Sequence, residues 1–158
     1  MVTIRNARET DAEQIIDLLK QVLELHAKIR PDIFISGTTK YTKDEVVAII
    51  KDKQRRTFVA EDGRGKVLGY ALCIIKKQPF SNNMIPFTTL YIDDLCVDNN
   101  ARGKHIGTLL FDYVKKEAKK TGCYEITLNV WEGNNAAKVF YDKMGMRPKE
   151  TQMELILK

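Results

Sequence analysis

Three groups of residues in this 158-residue chain have types and spacings suited to chemistry. The first is Arg102-Gly103-Lys104-His105-Ile106-Gly107-Thr108, a basic, glycine-containing loop that enters an apolar repeat at Ile106, Leu109, Leu110, Tyr113, Val114 and Ala118. That repeat is the spacing of an amphipathic helix. The first amides of a helix have no intrahelical acceptor, and the helix dipole places partial positive charge beside them. Loop and helix start together make a device for holding phosphate. Gly103 and Gly107 let backbone approach a ligand with no Cβ in the way. The second group is Asp93-Asp94, adjacent acids inside the apolar run Leu90–Val97 just before the loop. The third runs from Asn134 to Tyr141. Asn134 suits an N-cap, Ala136 and Ala137 keep the helix start slim, and Tyr141 follows about two turns later. By spacing alone, Tyr141 is a core residue with its hydroxyl on a backbone carbonyl.

Two common phosphate loops do not match. A dinucleotide fingerprint needs Gly-x-Gly-x-x-Gly tight against a strand, whereas Gly103 and Gly107 stand four apart with no third glycine after them. A P-loop needs Gly-x-x-x-x-Gly-Lys-Ser/Thr, and Gly-Lys-His-Ile-Gly-Thr does not supply it.

The elements that must position these groups follow from periodicity. Val2–Asn6 reads as a strand. Thr10 to Glu13 offers a capping box, and Ile15, Leu19, Val22, His26 and Ile29 then line one helical face up to Pro31. A second helix is expected over Lys43–Arg55, then strands over Thr57–Asp62 and Lys66–Ile75 joined by a Gly-rich hairpin turn. Gln78–Pro86 is a loop, Leu90–Val97 a strand, and Gly122 stops the helix that follows the basic loop. Glu125–Trp131 alternates as a strand, Asn134–Met144 is a short helix, and a last strand is expected within Pro148–Leu157. The sum is one domain over residues 1–158, an α/β fold with a mixed sheet and the order βααβββαβαββ.

Composition agrees with an ordinary globular domain: 44% hydrophobic and 30% charged residues. No apolar run approaches the roughly 18 residues a membrane span needs, and Arg5, Arg8, Glu9 and Asp11 interrupt any signal-peptide core. Cys73, Cys96 and Cys123 lack metal-type spacing and read as reduced thiols in a cytoplasmic protein. A net charge of +5 is spread along the chain, which suits a small polyanion better than nucleic acid.

The basic loop resembles the pyrophosphate signature of the GNAT superfamily of N-acetyltransferases, Gln/Arg-x-x-Gly-x-Gly/Ala. Arg102 to Gly107 fill it, with His105 where the family usually has its first glycine. Asn134, Ala137, Tyr141 and Gly145 resemble the family's second motif, Asn-x-x-Ala-x-x-x-Tyr-x-x-x-Gly-Phe, with Met146 in place of the aromatic. The opening Ile4-Arg5-Asn6-Ala7-Arg8-Glu9-Thr10-Asp11-Ala12 is also similar to the family's usual start.

The resemblance implies acetyl-CoA as co-substrate, no metal, and direct attack by a primary amine. It implies a fourth strand splayed from the fifth, with the pantetheine arm between them along Leu95, Cys96 and Val97. The Val97 amide would hold the acetyl carbonyl. Arg102, Gly103, Lys104, His105, Ile106, Gly107 and Thr108 would cradle the pyrophosphate. The His105 imidazole either faces that phosphate or turns to solvent while its amide alone takes part. Asn134, Ala136 and Ala137 would flank the pantetheine, and Tyr141 would protonate the leaving thiolate. The amine must also lose a proton. Asp93 and Asp94 are the candidates to take it, directly or through water, and a bulge would make strand parity useless for choosing between them. Either acid alone reads equally as one that solvates a strand end or pairs with a lysine.

The acceptor pocket would fall near Leu25–Tyr41, with His26, Phe34, Tyr41 and Tyr91 as wall residues. Adjacent acids in Tyr91–Val97 resemble the polyamine branch of the family. The expected acceptor is a small amine, polyamine-like or amino-acid-like, with a protein or peptide N-terminus as the alternative. A reading of another class is an acetyl-CoA-binding sensor without turnover. A homodimer is compatible with all of these.

Overall fold

The computed structural model of the chain describes residues 1–78 and 81–158. Five strands form one sheet in the spatial order of the sequence: β1 (Thr3–Asn6), β2 (Arg55–Glu61), β3 (Val67–Lys77), β4 (Thr88–Val97) and β5 (Glu125–Thr127). β1 to β4 are antiparallel neighbours, and β5 joins β4 in parallel. The parallel step is what the intervening helix α3 (Ile106–Lys120) allows, since parallel neighbours need a long crossover.

Each face of the sheet is covered. α1 (Ala12–Ile29) and α2 (Lys43–Lys51) press Ile15, Leu18, Leu19 and Val46 onto Val59, Tyr70, Leu72 and Cys96. On the other face Ile106, Leu110, Phe111, Val114 and Ala118 of α3 meet Phe58, Ala71, Cys73, Leu90 and Ile92. α4 (Asn135–Lys143) lies against this second core through Phe140, Tyr141 and Met144. Of the apolar repeat predicted for α3, Ile106, Leu110, Val114 and Ala118 are buried and Tyr113 packs beside them, whereas Leu109 is exposed.

Through α4 the element order is the expected βααβββαβα, and the hairpin turn closes with the Asp62 N–H donating to the Lys66 carbonyl at 3.0 Å. The loop expected over Gln78–Pro86 is irregular where described, and positions 79 and 80 lie outside the described residues. Four boundaries differ. The expected Thr10 capping box does not form. Asp11 is buried, accepts from the Arg8 N–H at 2.7 Å and is gripped by Arg5 at 2.8 Å, so α1 starts only after it. α2 stops at Lys51 because Asp52 turns extended and Arg55 and Arg56 enter β2 opposite Ile74 and Cys73. Its capping box, Thr42 with Glu45, was not anticipated.

β5 ends at Thr127 rather than Trp131, for a reason that belongs to the site. Finally, the strand expected within Pro148–Leu157 is not formed: residues 147–158 are exposed and join no strand among the described residues.

Candidate active site

β4 carries a bulge that decides where its acids point. Leu95 pairs with Ala71 and Asp94 with Leu72, but Cys73 then pairs with Ile92, so Asp93 is the extra residue. Before the bulge Leu90 and Ile92 face α3, and after it Cys96 faces α1 with its thiol 3.7 Å from the Leu18 carbonyl. The phase change sends both aspartates toward the α1–α2 side. There they meet different partners. Asp93 accepts from the Tyr41 hydroxyl at 2.6 Å and from the Lys40 ammonium at 3.0 Å, which ties the loop before α2 to β4. Asp94 accepts from the Tyr70 hydroxyl at 2.7 Å.

The electrostatics separate the two acids further. Burial pushes the Asp94 carboxyl above the usual range, and neighbouring Asp93 adds to that. The Tyr70 hydrogen bond and Lys40 only partly offset it. Lys40 is drawn down by burial, but Asp93 outweighs that and keeps the ammonium charged. Tyr41 and Tyr70 are both raised, chiefly by burial, so each stays a phenol that donates.

The far edge of β4 is open. β5 pairs with it only from Thr89 to Tyr91, opposite Glu125 to Thr127. Beyond that the chains diverge, which is why β5 is short and residues 128–131 are outside the sheet. On the closed edge the Asp98 N–H donates to the Leu68 carbonyl at 2.8 Å. Strand alternation then turns the Val97 N–H toward the opening. Gly69 of β3 makes this stretch of β4 possible, because a Cβ there would sit 2.7 Å from the Cys96 carbonyl oxygen.

The basic loop stands at the end of this opening. Arg102, Gly103, Lys104 and His105 are exposed, Ile106 is buried under the helix start, and Gly107 and Thr108 are half-buried. Gly103 has φ 83° and His105, the N-cap of α3, has φ 61°. His105 is the sole non-glycine residue with positive φ among the described residues, so a left-handed backbone is what this position demands. A Cβ at Gly107 would meet the Phe140 ring at 3.2 Å, so the glycine here makes room for α4. Exposed basic side chains and unpaired first-turn amides beside an open strand edge fit a pyrophosphate joined to an extended arm.

On the opposite side Asn134 caps α4, its Oδ1 accepting from the Ala137 N–H at 3.2 Å. Ala136 is exposed and Ala137 half-buried. Tyr141 packs edge-on to Phe140, with ring centroids 5.0 Å apart, and lies near Phe111. No hydrogen bond to its hydroxyl is present among the described residues. Burial raises its pKa well above the usual phenol value, and the Asp94 charge adds to the rise.

The acceptor-side residues divide. His26 stacks obliquely on Phe34 at 5.3 Å, and burial lowers its pKa, helped by Lys40. Tyr41 is held by Asp93, whereas Tyr91 stands apart from these, beside Asn129 and under the Lys76 ammonium. The sequence reading missed Trp131, whose ring meets Phe34 edge-on at 5.4 Å with the Arg30 guanidinium over it. It also missed Tyr70 and Lys40. An isolated tyrosine inside the apolar run of β3 was a signal, since a buried phenol needs a partner. Cys73 and Cys96 are buried with thiols raised, Cys96 to about 12, so neither is a ready nucleophile. No group of three metal-ligating side chains comes together among the described residues, and no described helix is long and apolar enough to cross a membrane.

Comparison with known proteins agrees with this geometry. A protein of Bacillus halodurans, solved in a mutant form, superposes with a TM-score of 0.95 at 35% identity over 99% of both chains. The glucosamine-6-phosphate N-acetyltransferase of Arabidopsis thaliana superposes with a TM-score of 0.72 at 25% identity, covering 100% of this chain and 99% of that one. By sequence, the Arabidopsis thaliana glucosamine 6-phosphate N-acetyltransferase is 30% identical over 113 residues, 72% of this chain and 66% of the relative. That of Dictyostelium discoideum is 36% identical over 67 residues, 42% of this chain and 41% of its own length. The chain thus spans about two-thirds or less of the curated relatives it matches. The sequence profile of the acetyltransferase (GNAT) family matches residues 19–146. Profile, fold and the splayed fourth and fifth strands lead to one conclusion: the chain belongs to the acetyltransferase (GNAT) family, whose members take acetyl-CoA as acetyl donor.

Proposed function

We propose that the chain moves an acetyl group from acetyl-CoA to a small primary amine by direct attack in a ternary complex. The observation that carries this reading is the bulge at Asp93. It sets a carboxyl of raised pKa, Asp94, on the strand whose free edge bears the Val97 N–H, and the Asp94 charge is felt by the Tyr141 phenol. Bound acetyl-CoA supplies the thioester carbonyl that the amine attacks. Arg102, Lys104 and the amides of Ile106, Gly107 and Thr108 hold its pyrophosphate, with the His105 backbone turning the loop. Leu95, Cys96 and Val97 line the arm by main chain, and Asn134, Ala136 and Ala137 bound it on the other side.

Asp94 takes the proton the acceptor ammonium must lose, because its raised pKa brings it nearer to the amine's than an ordinary carboxylate. Asp93 is already engaged by Tyr41 and Lys40, so it positions the acceptor loop. As the C–N bond forms, the Val97 N–H donates to the developing oxyanion. As the C–S bond breaks, the Tyr141 hydroxyl gives its proton to the sulfur. The raised pKa keeps the phenol protonated until the sulfur departs.

Support for a small acceptor comes from the compact aromatic wall of His26, Phe34 and Trp131 and from the names of the relatives, which act on an amino sugar phosphate. The test is thiol release from acetyl-CoA against a panel of amino sugars and their phosphates, polyamines, amino acids and peptides. Turnover with at least one small amine is expected. Turnover confined to peptides would replace the acceptor class. Acetyl-CoA binding without thiol release for any amine would make the chain a sensor.

A further inference from the structure

We propose that the chain carries a second anion site, remote from the donor loop, that takes a small molecule bearing two or more phosphates. It lies where β2 begins and β3 ends. A cavity of about 410 Å³ there is lined by Lys53, Gln54, Arg56, Ile75 and Lys77. That volume is in the range of small-molecule sites. Three of the five lining residues are cationic and none is acidic.

The fold makes this concentration out of residues far apart in sequence. The Ile75 N–H donates to the Gln54 carbonyl at 2.9 Å, which fixes the two strand ends side by side. Cys73 and Ile75 pack on the core beneath α3, and alternation puts Lys77 on that same face. Arg56 pairs with Cys73 across the ladder and so shares the face. Its Nε donates to the Glu117 carboxylate of α3 at 3.3 Å, and its Nη1 to the Lys53 and Arg55 carbonyls. The guanidinium is thereby held in place at the cavity wall.

Neighbouring acids do not cancel this charge. Asp52 is spent on the Gln54 N–H at 2.9 Å and on Arg55 at 3.7 Å, and Glu117 alone meets the group. Lys53 and Lys77 are exposed and have no ion pair among the described residues. By contrast Lys43 holds Glu13 at 2.8 Å and Lys149 holds Glu125 at 2.9 Å. Lys53 follows the end of α2, where the helix dipole favours a cation, but Lys77 ends a strand and answers to no dipole.

The arrangement decides the kind of ligand. Nucleic acid is met by basic residues strung along a stripe. Here the cations converge on one hollow, with the Gln54 amide beside them and Ile75 as an apolar floor. A fork-shaped guanidinium and two flexible ammoniums suit a compact polyphosphate. The donor loop lies elsewhere. Ile75 pairs with Leu90 and Gly69 with Val97, so the cavity is about 20 Å along β3 from the donor opening. The proposal does not depend on which amine the chain acetylates.

Calorimetric titration of the full chain with inorganic tripolyphosphate, in saturating acetyl-CoA, tests it. Acetyl-CoA fills the donor loop, so a second anion must go elsewhere. One tripolyphosphate per chain is expected, bound more weakly as salt rises. Lys53→Gln with Lys77→Gln should weaken it at least about 10-fold and leave acetyl-CoA affinity unchanged. No uptake by the acetyl-CoA complex overturns the proposal, as does uptake that survives the double variant. A single-stranded oligonucleotide held more tightly than tripolyphosphate, its affinity growing with length, overturns the ligand class. Amide chemical shifts of the unaltered chain decide independently of any variant. Those of Gln54, Arg56, Ile75 and Lys77 should move with tripolyphosphate, and movement confined to residues 102–108 removes the site.

Discussion

Asp94 answers to two opposed demands, one from folding and one from chemistry. Burial favours its neutral form, while accepting a proton needs the ionised one. A folded pKa above the unfolded value means that its contribution to stability is fully present only below the unfolded pKa, ~3.9 for an aspartate. That contribution is lost as pH rises through the folded value. Asp94→Asn keeps an acceptor for the Tyr70 hydroxyl and removes the charge. At pH 7.5 the variant should therefore melt at the same temperature or higher, with the gap closing as pH falls toward 4. Its kcat should drop about 10²–10⁴-fold, and the acidic limb of the kcat/KM profile should disappear. Undiminished kcat would assign the proton to another acceptor. Tyr141→Phe should cut kcat by a similar factor while acetyl-CoA affinity stays within about twofold, read by rapid-quench and by titration. Loss of affinity and kcat together would return Tyr141 to packing.

At the level of elements, the site is a product of β3, β4 and what keeps β5 away. Gly69→Ala tests this directly. Its Cβ would press on the Cys96 carbonyl oxygen, backbone that cannot swing aside as a side chain can. We expect a loss of about 1–3 kcal/mol in denaturant unfolding, with a weaker acetyl-CoA Kd because β4 is displaced where the arm would lie. Legibility from sequence followed the same physics. α1, α3 and α4 were readable because burial of one face writes a period into the chain, and β1 to β4 because they are short apolar or β-branched runs, those of β2 and β3 buried on both faces. The Asn134 cap was readable because it depends on residues three apart. Features set by distant partners were not. Thr10 lost its cap to the Arg5 and Arg8 contacts of Asp11. Asp93 and Asp94 were visible as a pair, but their separate fates depend on Tyr41, Lys40 and Tyr70, far away in sequence. The left-handed backbone at His105 likewise rests on an angle that side-chain type does not report.

For the whole molecule, the proposed donor site gathers three separate elements from the second half of the chain: β4, the start of α3 and the start of α4. A ligand bridging them stabilises the folded state in proportion to its occupancy. Acetyl-CoA at 100 times its Kd should add about 2.7 kcal/mol, seen as a rise in melting temperature. An unchanged melting temperature at millimolar acetyl-CoA would remove the donor site from this opening. Screening should be mild where backbone amides do the holding and stronger where Arg102 and Lys104 do, so a salt series apportions the two.

The bulge in β4 has one more implication, about length rather than identity. Upstream of Asp93 the strand's buried residues belong to one core, and downstream they belong to the other. The strand is in effect two phrases in different metre, joined by a single extra beat. Replacing Asp93 leaves the count intact, so Asp93→Ala should fold and lose only its ties to Tyr41 and Lys40. Deleting it forces one half to invert, turning either Leu90 and Ile92 or Cys96 away from its core. Such a chain should fail to yield a cooperative unfolding transition, although it has lost only one residue, whose side chain belongs to neither apolar core.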